Sequence, residues 1–301
     1  MRKVTEFVIL AFTFSWAVAG AYSAVGGGVD EPAFVGVAVV YMFGPFIAAS
    51  VVQVRRGERV AHAVGARLRL SRWLVVAWLT PAVVAVLAVV FALAHPDGSL
   101  ATSAATVVES YAPSLSGERA AAMTRQLEAM PLSFIIGSIL VTGLVAGATV
   151  NAVAAFGEEA GWRGLMLYEL SDETFWRASA IVGLTWGVWH APLVAQGYNY
   201  PSNPAVGVFA MVAFTLLATP PLNYVRLKAG TVIAPSVFHG TVNATAGVSV
   251  IAVTGVSRLV TGAGIAAMAG FAVVNVSMVV YDRRTGEGVT SSRLSESLED
   301  V

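Results

Sequence analysis

Eight stretches of about 18 to 25 mostly apolar residues succeed one another along this chain, and no other feature limits its fold as strongly. They run approximately over residues 5–25, 33–54, 73–94, 132–156, 178–195, 206–225, 231–252 and 257–281. A helix needs roughly 20 such residues to cross a hydrocarbon core of about 30 Å, whereas barrel strands alternate over about 10. The expected fold class is therefore an all-α polytopic membrane protein with about eight transmembrane helices. Only 12% of the 301 residues are charged, too few for a soluble chain of this length. The 18 basic residues balance the 18 acidic ones, which leaves no basic field for nucleic acid as a partner. With no cysteine, disulfides, thiolate metal sites and cysteine nucleophiles are excluded.

Arg2 and Lys3 before the first run, and small residues near Ala24, imitate a signal peptide. Seven further runs make it read as a retained helix. The connection after the second run carries Arg55, Arg56, Arg59, Arg67, Arg69 and Arg72, while the one before it has only Asp30 and Glu31. Short cytoplasmic loops concentrate Lys and Arg, so both termini are expected in the cytoplasm. Of the basic residues, Arg119, Arg125 and Arg258 alone then lie outside. Abundant Ala, Val, Gly and Arg with little Lys suggests a GC-rich bacterium, and hence an integral protein of its inner, cytoplasmic membrane.

Three regions follow. Residues 1–131 hold three membrane runs and a long outer loop, in which GERAAAMTRQLEAM places Ala122, Met123, Leu127 and Met130 at the spacing of a surface-lying helix. Residues 132–281 hold the other five runs. Residues 282–301, rich in Ser, Glu and Arg, read as a disordered cytoplasmic tail. No internal repeat of the kind that marks many transporters is present.

A charge at mid-membrane costs at least about 2.5 to 3.5 kcal/mol, so ionisable residues inside the runs are where function is sought. His62 and His95 fall at loops and edges, where solvation accounts for them. Glu158, Glu159, His190 and His239 remain. In FGEEAGWRGLM, Glu159 and Arg163 are four apart and can pair on one helix face at the cytoplasmic end of the fourth run, leaving Glu158 without a local counter-ion. A half-buried carboxylate of that kind suits proton transfer near neutral pH. Trp186 and His190 share a face in the fifth run, as do His239 and Asn243 in the seventh. Each motif alone is explained as readily by an acid–Arg helix end, a histidine bonded to a neighbouring helix, or interhelical polar contacts. Packing does not call for all three together. Convergence would give a polar cavity with a base for water, imidazoles to hold a metal or shuttle protons, and an amide donor for an oxyanion.

Glu158-Glu159-x-x-x-Arg163, Trp186-x-x-x-His190 and His239-x-x-x-Asn243, in that order on consecutive apolar runs, resemble the motifs of the CAAX-protease and bacteriocin-processing (CPBP) group of intramembrane proteases, which includes CAAX prenyl protease type 2. The resemblance covers about residues 130–255 and makes 132–281 a catalytic membrane core. One small departure is Trp186, where the group commonly has Phe, a conservative replacement on sequence alone.

The resemblance implies an intramembrane endopeptidase that cuts near the C-terminus, or in the membrane-embedded part, of a peptide or membrane-anchored protein, with or without a prenyl group. Glu158 would be the base that activates water, His190 its partner, and His239 with Asn243 the pair that polarises the scissile carbonyl. Glu159, Arg163 and Trp186 would orient them. Members are described as metalloproteases and as metal-free glutamate proteases. If zinc is held, Glu158, His190 and His239 are the ligands; absence of an H-E-x-x-H helix puts the metal-free form slightly ahead. Membrane lipid is a partner on any reading. The rivals are a proton-coupled transporter and a non-catalytic scaffold that binds membrane peptides. On a simple helix count His190 lies about 12 residues, roughly 18 Å, into its run, deeper than a carboxylate at a helix end.

Overall fold

The structure is a computed structural model that describes residues 2–67, 69–111 and 117–298. It is almost entirely helical. In chain order the helices are α1 (Arg2–Ala24), α2 (Phe34–Met42), α3 (Gly44–Arg55), α4 (Val60–Val64), α5 (Arg72–Leu93), α6 (Ala104–Tyr111), α7 (Gly117–Glu128), α8 (Leu132–Ala148) and α9 (Val150–Glu159). A π-helical stretch, Ala160–Met166, then leads into α10 (Leu167–Glu169). The rest are α11 (Phe175–Trp189), α12 (Ala191–Ala195), α13 (Pro204–Ala229), α14 (Ile233–Thr245), α15 (Gly247–Ala252), α16 (Ile265–Thr285) and α17 (Leu294–Leu298). The short strands β1 (Ser99–Leu100) and β2 (Val253–Thr254) pair antiparallel, with Ser99 opposite Thr254.

Each of the eight apolar runs contains helix, but not all are long single helices, and residues 257–264 of the last are non-helical. Among the described residues five helical spans are long and apolar enough to cross a membrane: α1, Phe34–Arg55, α5, α13 and α16. A sixth is obtained if α7 and α8, bent by 103° at Pro131, are taken as one. The α8–α9, α11–α12 and α14–α15 runs are interrupted at Thr149, His190 and Ala246. Their longer pieces have 17, 15 and 13 residues, or about 20 to 26 Å, short of the hydrocarbon thickness.

Where a helix breaks away from water, its freed carbonyls need donors from elsewhere in the protein. Pro45 cannot donate to the Tyr41 carbonyl, which instead accepts from the Ser15 hydroxyl of α1 at 3.0 Å. Pro221, inside α13, frees the Leu217 carbonyl, and Asn275 of α16 donates to it at 2.8 Å. At the α11–α12 kink the Trp189 carbonyl accepts from the Trp16 indole at 3.1 Å and from the Tyr41 hydroxyl. Side chains of α1, α2 and α16 thereby tie down the breaks around the centre of the molecule. One apolar core, containing Phe7, Trp162, Trp189, Phe238 and Phe271, joins the N-terminal helices to the later ones.

Basic and acidic side chains meet at one end of the bundle. Lys3 bonds Glu58 at 2.8 Å and Glu169 at 2.9 Å, Arg56 reaches Glu6 at 2.8 Å, and Lys228 pairs with Glu287. The Lys3 ammonium holds the exposed Glu58 carboxyl below the usual carboxylate range. At the other end Arg258 donates to the Ser110 carbonyl. α7 has the helical form read from its sequence, with no buried residue. The His62 side chain lies outside the described residues.

The expectation of a disordered tail does not hold for residues 282–298; residues 299–301 lie outside those described. Asp282 is buried and accepts from the Val289 and Thr290 backbone N–H groups and from the Thr290 hydroxyl, at 3.1, 2.9 and 2.7 Å. Leu294 is buried, its N–H bonds the Glu173 carbonyl, and Arg293 forms a β-bridge with Thr174. The segment is held by backbone hydrogen bonds, which apolar content does not reveal.

Candidate active site

Three helical breaks and one helix–helix approach build the site. α14 packs against α5, α8 and α9. The approach is close because Gly240 has no side chain: a Cβ there would stand 2.5 Å from the Gly147 carbonyl oxygen and the Ala152 nitrogen. The neighbouring His239 is thereby brought to the carboxylates of α9. Gly161 allows the π-helical stretch to lie on α3, where a Cβ would come within 2.9 Å of the Pro45 backbone. π-helical turns recur at functional sites because they re-aim side chains without ending the helix.

Glu158 and Glu159 are 2% and 0% exposed. They do not stand at a helix end, as expected from sequence. The helical path continues through the π-helical stretch to Glu169, about ten residues or roughly 15 Å farther, before the turn into α11. That extension removes the depth mismatch with His190, since both motifs enter from the same turn.

The adjacent acids have different partners. Glu159 Oε1 accepts from Arg163 at 3.0 Å and from His239 Nδ1 at 2.8 Å, while its Oε2 has no hydrogen-bond partner among the described residues. Arg163 also donates to Thr219 at 3.1 Å and Asn223 at 3.4 Å, and its guanidinium lies 4.5 Å from the Trp186 ring centre. Asn223 passes the network to Ser179 at 3.0 Å. Glu158 has no ion pair among the described residues; its Oε2 accepts from the Trp186 indole N–H at 2.6 Å.

His190, half-buried at the α11–α12 kink, sets Nδ1 2.8 Å from the Trp186 carbonyl. A carbonyl only accepts, so this Nδ1 carries the proton and Nε2 is the free nitrogen. His239 is arranged likewise by the Glu159 carboxylate. The Trp186 ring centre is 5.6 Å from that of His190 and 5.1 Å from that of His239.

Glu158, His190, His239 and Asn243 line one cavity of about 120 Å³, room for a few water molecules. Asn243 is exposed at its edge. The convergence expected from three separated motifs is thus present. The zinc alternative finds no support in the donor geometry: among the described residues no three His, Asp or Glu side chains are grouped to hold a metal ion.

Sequence reasoning passed over several contributors. Tyr41, Tyr198 and Asn199 also line the cavity, and Asn199 is the one non-glycine residue with positive φ, 63°, among those described. Thr219 and Asn223, four apart in an apolar run and both fully buried, carried a signal of the same kind as His239 and Asn243.

Residues 140–245 match the family model described as Type II CAAX prenyl endopeptidase Rce1-like. The match spans all three motifs. No curated protein matches the chain at a significant level.

Proposed function

We propose that this chain, whose residues 140–245 match the Rce1-like type II CAAX prenyl endopeptidase model, is a membrane protease of that kind, and that the cavity where its three motifs meet hydrolyses a peptide bond of a membrane-held substrate. The observation that carries the assignment of roles is the shared cavity: a carboxylate without an ion pair among the described residues, two imidazoles whose Nδ1 is engaged, and a carboxamide face one space with room for a few waters.

Glu158 takes a proton from a water held between its carboxylate and His190 Nε2. The resulting hydroxide attacks the scissile carbonyl, whose oxygen accepts from the Asn243 amide N–H and from Nε2–H of His239, which in this step carries a proton on both nitrogens because Nδ1–H is given to the Glu159 carboxylate. Charge developing on that oxygen is met by donors already oriented, because Glu159 fixes the His239 ring and Arg163 fixes Glu159. Glu158 then returns its proton to the departing amine, so the base is regenerated. Hydrolysis needs no other reactant than water.

In this reading the three interrupted runs complete eight crossings, both termini are cytoplasmic, and the substrate reaches the cavity in the inner membrane of a bacterium. The substrate class is a peptide or lipid-anchored protein cut near its C-terminus, prenylated substrates included. The test is cleavage of a quenched-fluorescence peptide ending in a farnesylated cysteine and three further residues, by purified protein in liposomes. Glu158→Gln is expected to lower kcat at least a hundredfold with little change in KM. Equal cleavage by the variant would remove Glu158 from its role. Solute flux without cleavage would favour a transporter, and peptide binding without cleavage in either form a scaffold.

A further inference from the structure

We propose that the Trp186 indole N–H is the positioning group for the general base: by occupying Oε2 of Glu158 it turns Oε1 toward the cavity as the oxygen that meets water. The inference rests on the protease reading and adds to it a role that the ring alone does not supply.

Four contacts of one side chain carry it. The indole N–H donates to Glu158 Oε2 at 2.6 Å. The ring lies under the Arg163 guanidinium at 4.5 Å, and its centre is 5.1 Å from His239 and 5.6 Å from His190. The residue's own carbonyl takes His190 Nδ1 at 2.8 Å. The hydrogen bond seen at the Glu158 carboxylate is the one at Oε2, and Glu158 lines the cavity. Trp186 is 3% exposed, so bulk solvent scarcely reaches its N–H.

A carboxylate on a flexible stem, with no cation to hold it, samples several rotamers. One donor bond fixes it, and a bond to a charged acceptor is stronger than a neutral one. Where the related group commonly has Phe, the ring contacts could all be kept while Oε2 lost its donor. This chain's Trp is therefore not a neutral replacement for Phe.

The test is Trp186→Phe in the full-length protein, which retains an aromatic ring and deletes the N–H. With the farnesylated peptide as probe, kcat is expected to fall about tenfold, the loss of one hydrogen bond to a charged acceptor, with KM within twofold. Thermal midpoints of Trp186→Phe, Glu158→Leu and the double variant supply a readout independent of activity. The effect of Trp186→Phe on the midpoint is expected to vanish once Glu158 is gone. Unchanged kcat in Trp186→Phe, or the same loss of midpoint in both backgrounds, would overturn the proposal. If the wild-type protein does not cut the peptide, the protease reading fails for that probe, and the thermal cycle alone decides the positioning contact.

Discussion

Removal of the Arg163 charge is the perturbation whose size follows most directly from the geometry. Arg163 and Glu159 side chains are both 0% exposed and 3.0 Å apart, and Arg163 makes two more hydrogen bonds and lies over the Trp186 ring. Arg163→Met keeps an unbranched chain of similar length but leaves Glu159 as a buried charge without a cation. Breaking one side of such a pair costs about 3 to 5 kcal/mol. For a chain of 301 residues, scaling by the usual unfolding entropy per residue gives a fall of about 5 to 8 °C in the thermal midpoint. The rescue matters more than the loss. Adding Glu159→Gln removes the stranded charge while its amide oxygen still accepts from His239 Nδ1, so most of the midpoint should return. Thermal unfolding of wild type, Arg163→Met and the double variant in one mild detergent measures this. A single variant within about 2 °C of wild type, or a double variant as unstable as the single, would refute the argument that Arg163 acts chiefly by compensating Glu159.

Asn243→Ala is expected to lower kcat by about a hundred to a thousandfold at nearly constant KM, the loss of one oxyanion donor; a rise in KM alone would make Asn243 a binding residue instead. Gly240→Val should push α14 off α8 and α9 against backbone atoms that cannot yield, and a midpoint equal to wild type would contradict the close approach seen there. Asp282→Ala strands the Val289 and Thr290 N–H groups and should speed limited tryptic cleavage after Arg293, whereas an unchanged rate would mean the tail is held by other contacts.

Much of this architecture could be read before any coordinates, because crossing a membrane leaves long apolar runs and makes buried ionisable residues rare. The breaks inside those runs were harder to read. Pro45 and Pro192 announce two of them, but the Thr149 interruption has no proline; its hydroxyl bonds back to the Val145 carbonyl at 2.7 Å, as threonines also do in unbroken helices. The π-helical stretch depends on Gly161 lying on Pro45 and on Trp162 packing between Phe7 and Trp189, contacts 100 residues or more away for α1 and α3. The tail was misread for a related reason. Composition registers apolar area, whereas residues 286–298 are tied by Asp282 to backbone donors seven and eight residues on, and Val289 and Leu294 supply the small apolar part.

The unequal fates of the two neighbouring acids follow from helix geometry rather than from any difference between them. Consecutive residues on a helix point about 100° apart, so one cation cannot serve both equally. Four residues beyond Glu159 is Arg163; four residues beyond Glu158 is Trp162, a buried ring whose own N–H has no partner among the described residues. The position of a single arginine therefore decides which carboxylate is neutralised and which is left to face the cavity. Had the cation stood at 162, Glu158 would be the structural acid and Glu159, already turned toward His239, would have no space in which to meet water. The order Glu-Glu-x-x-x-Arg thus has a physical meaning that its composition lacks: the second acid anchors the arginine and one imidazole, and that anchoring allows the first acid to remain unpaired in a membrane interior.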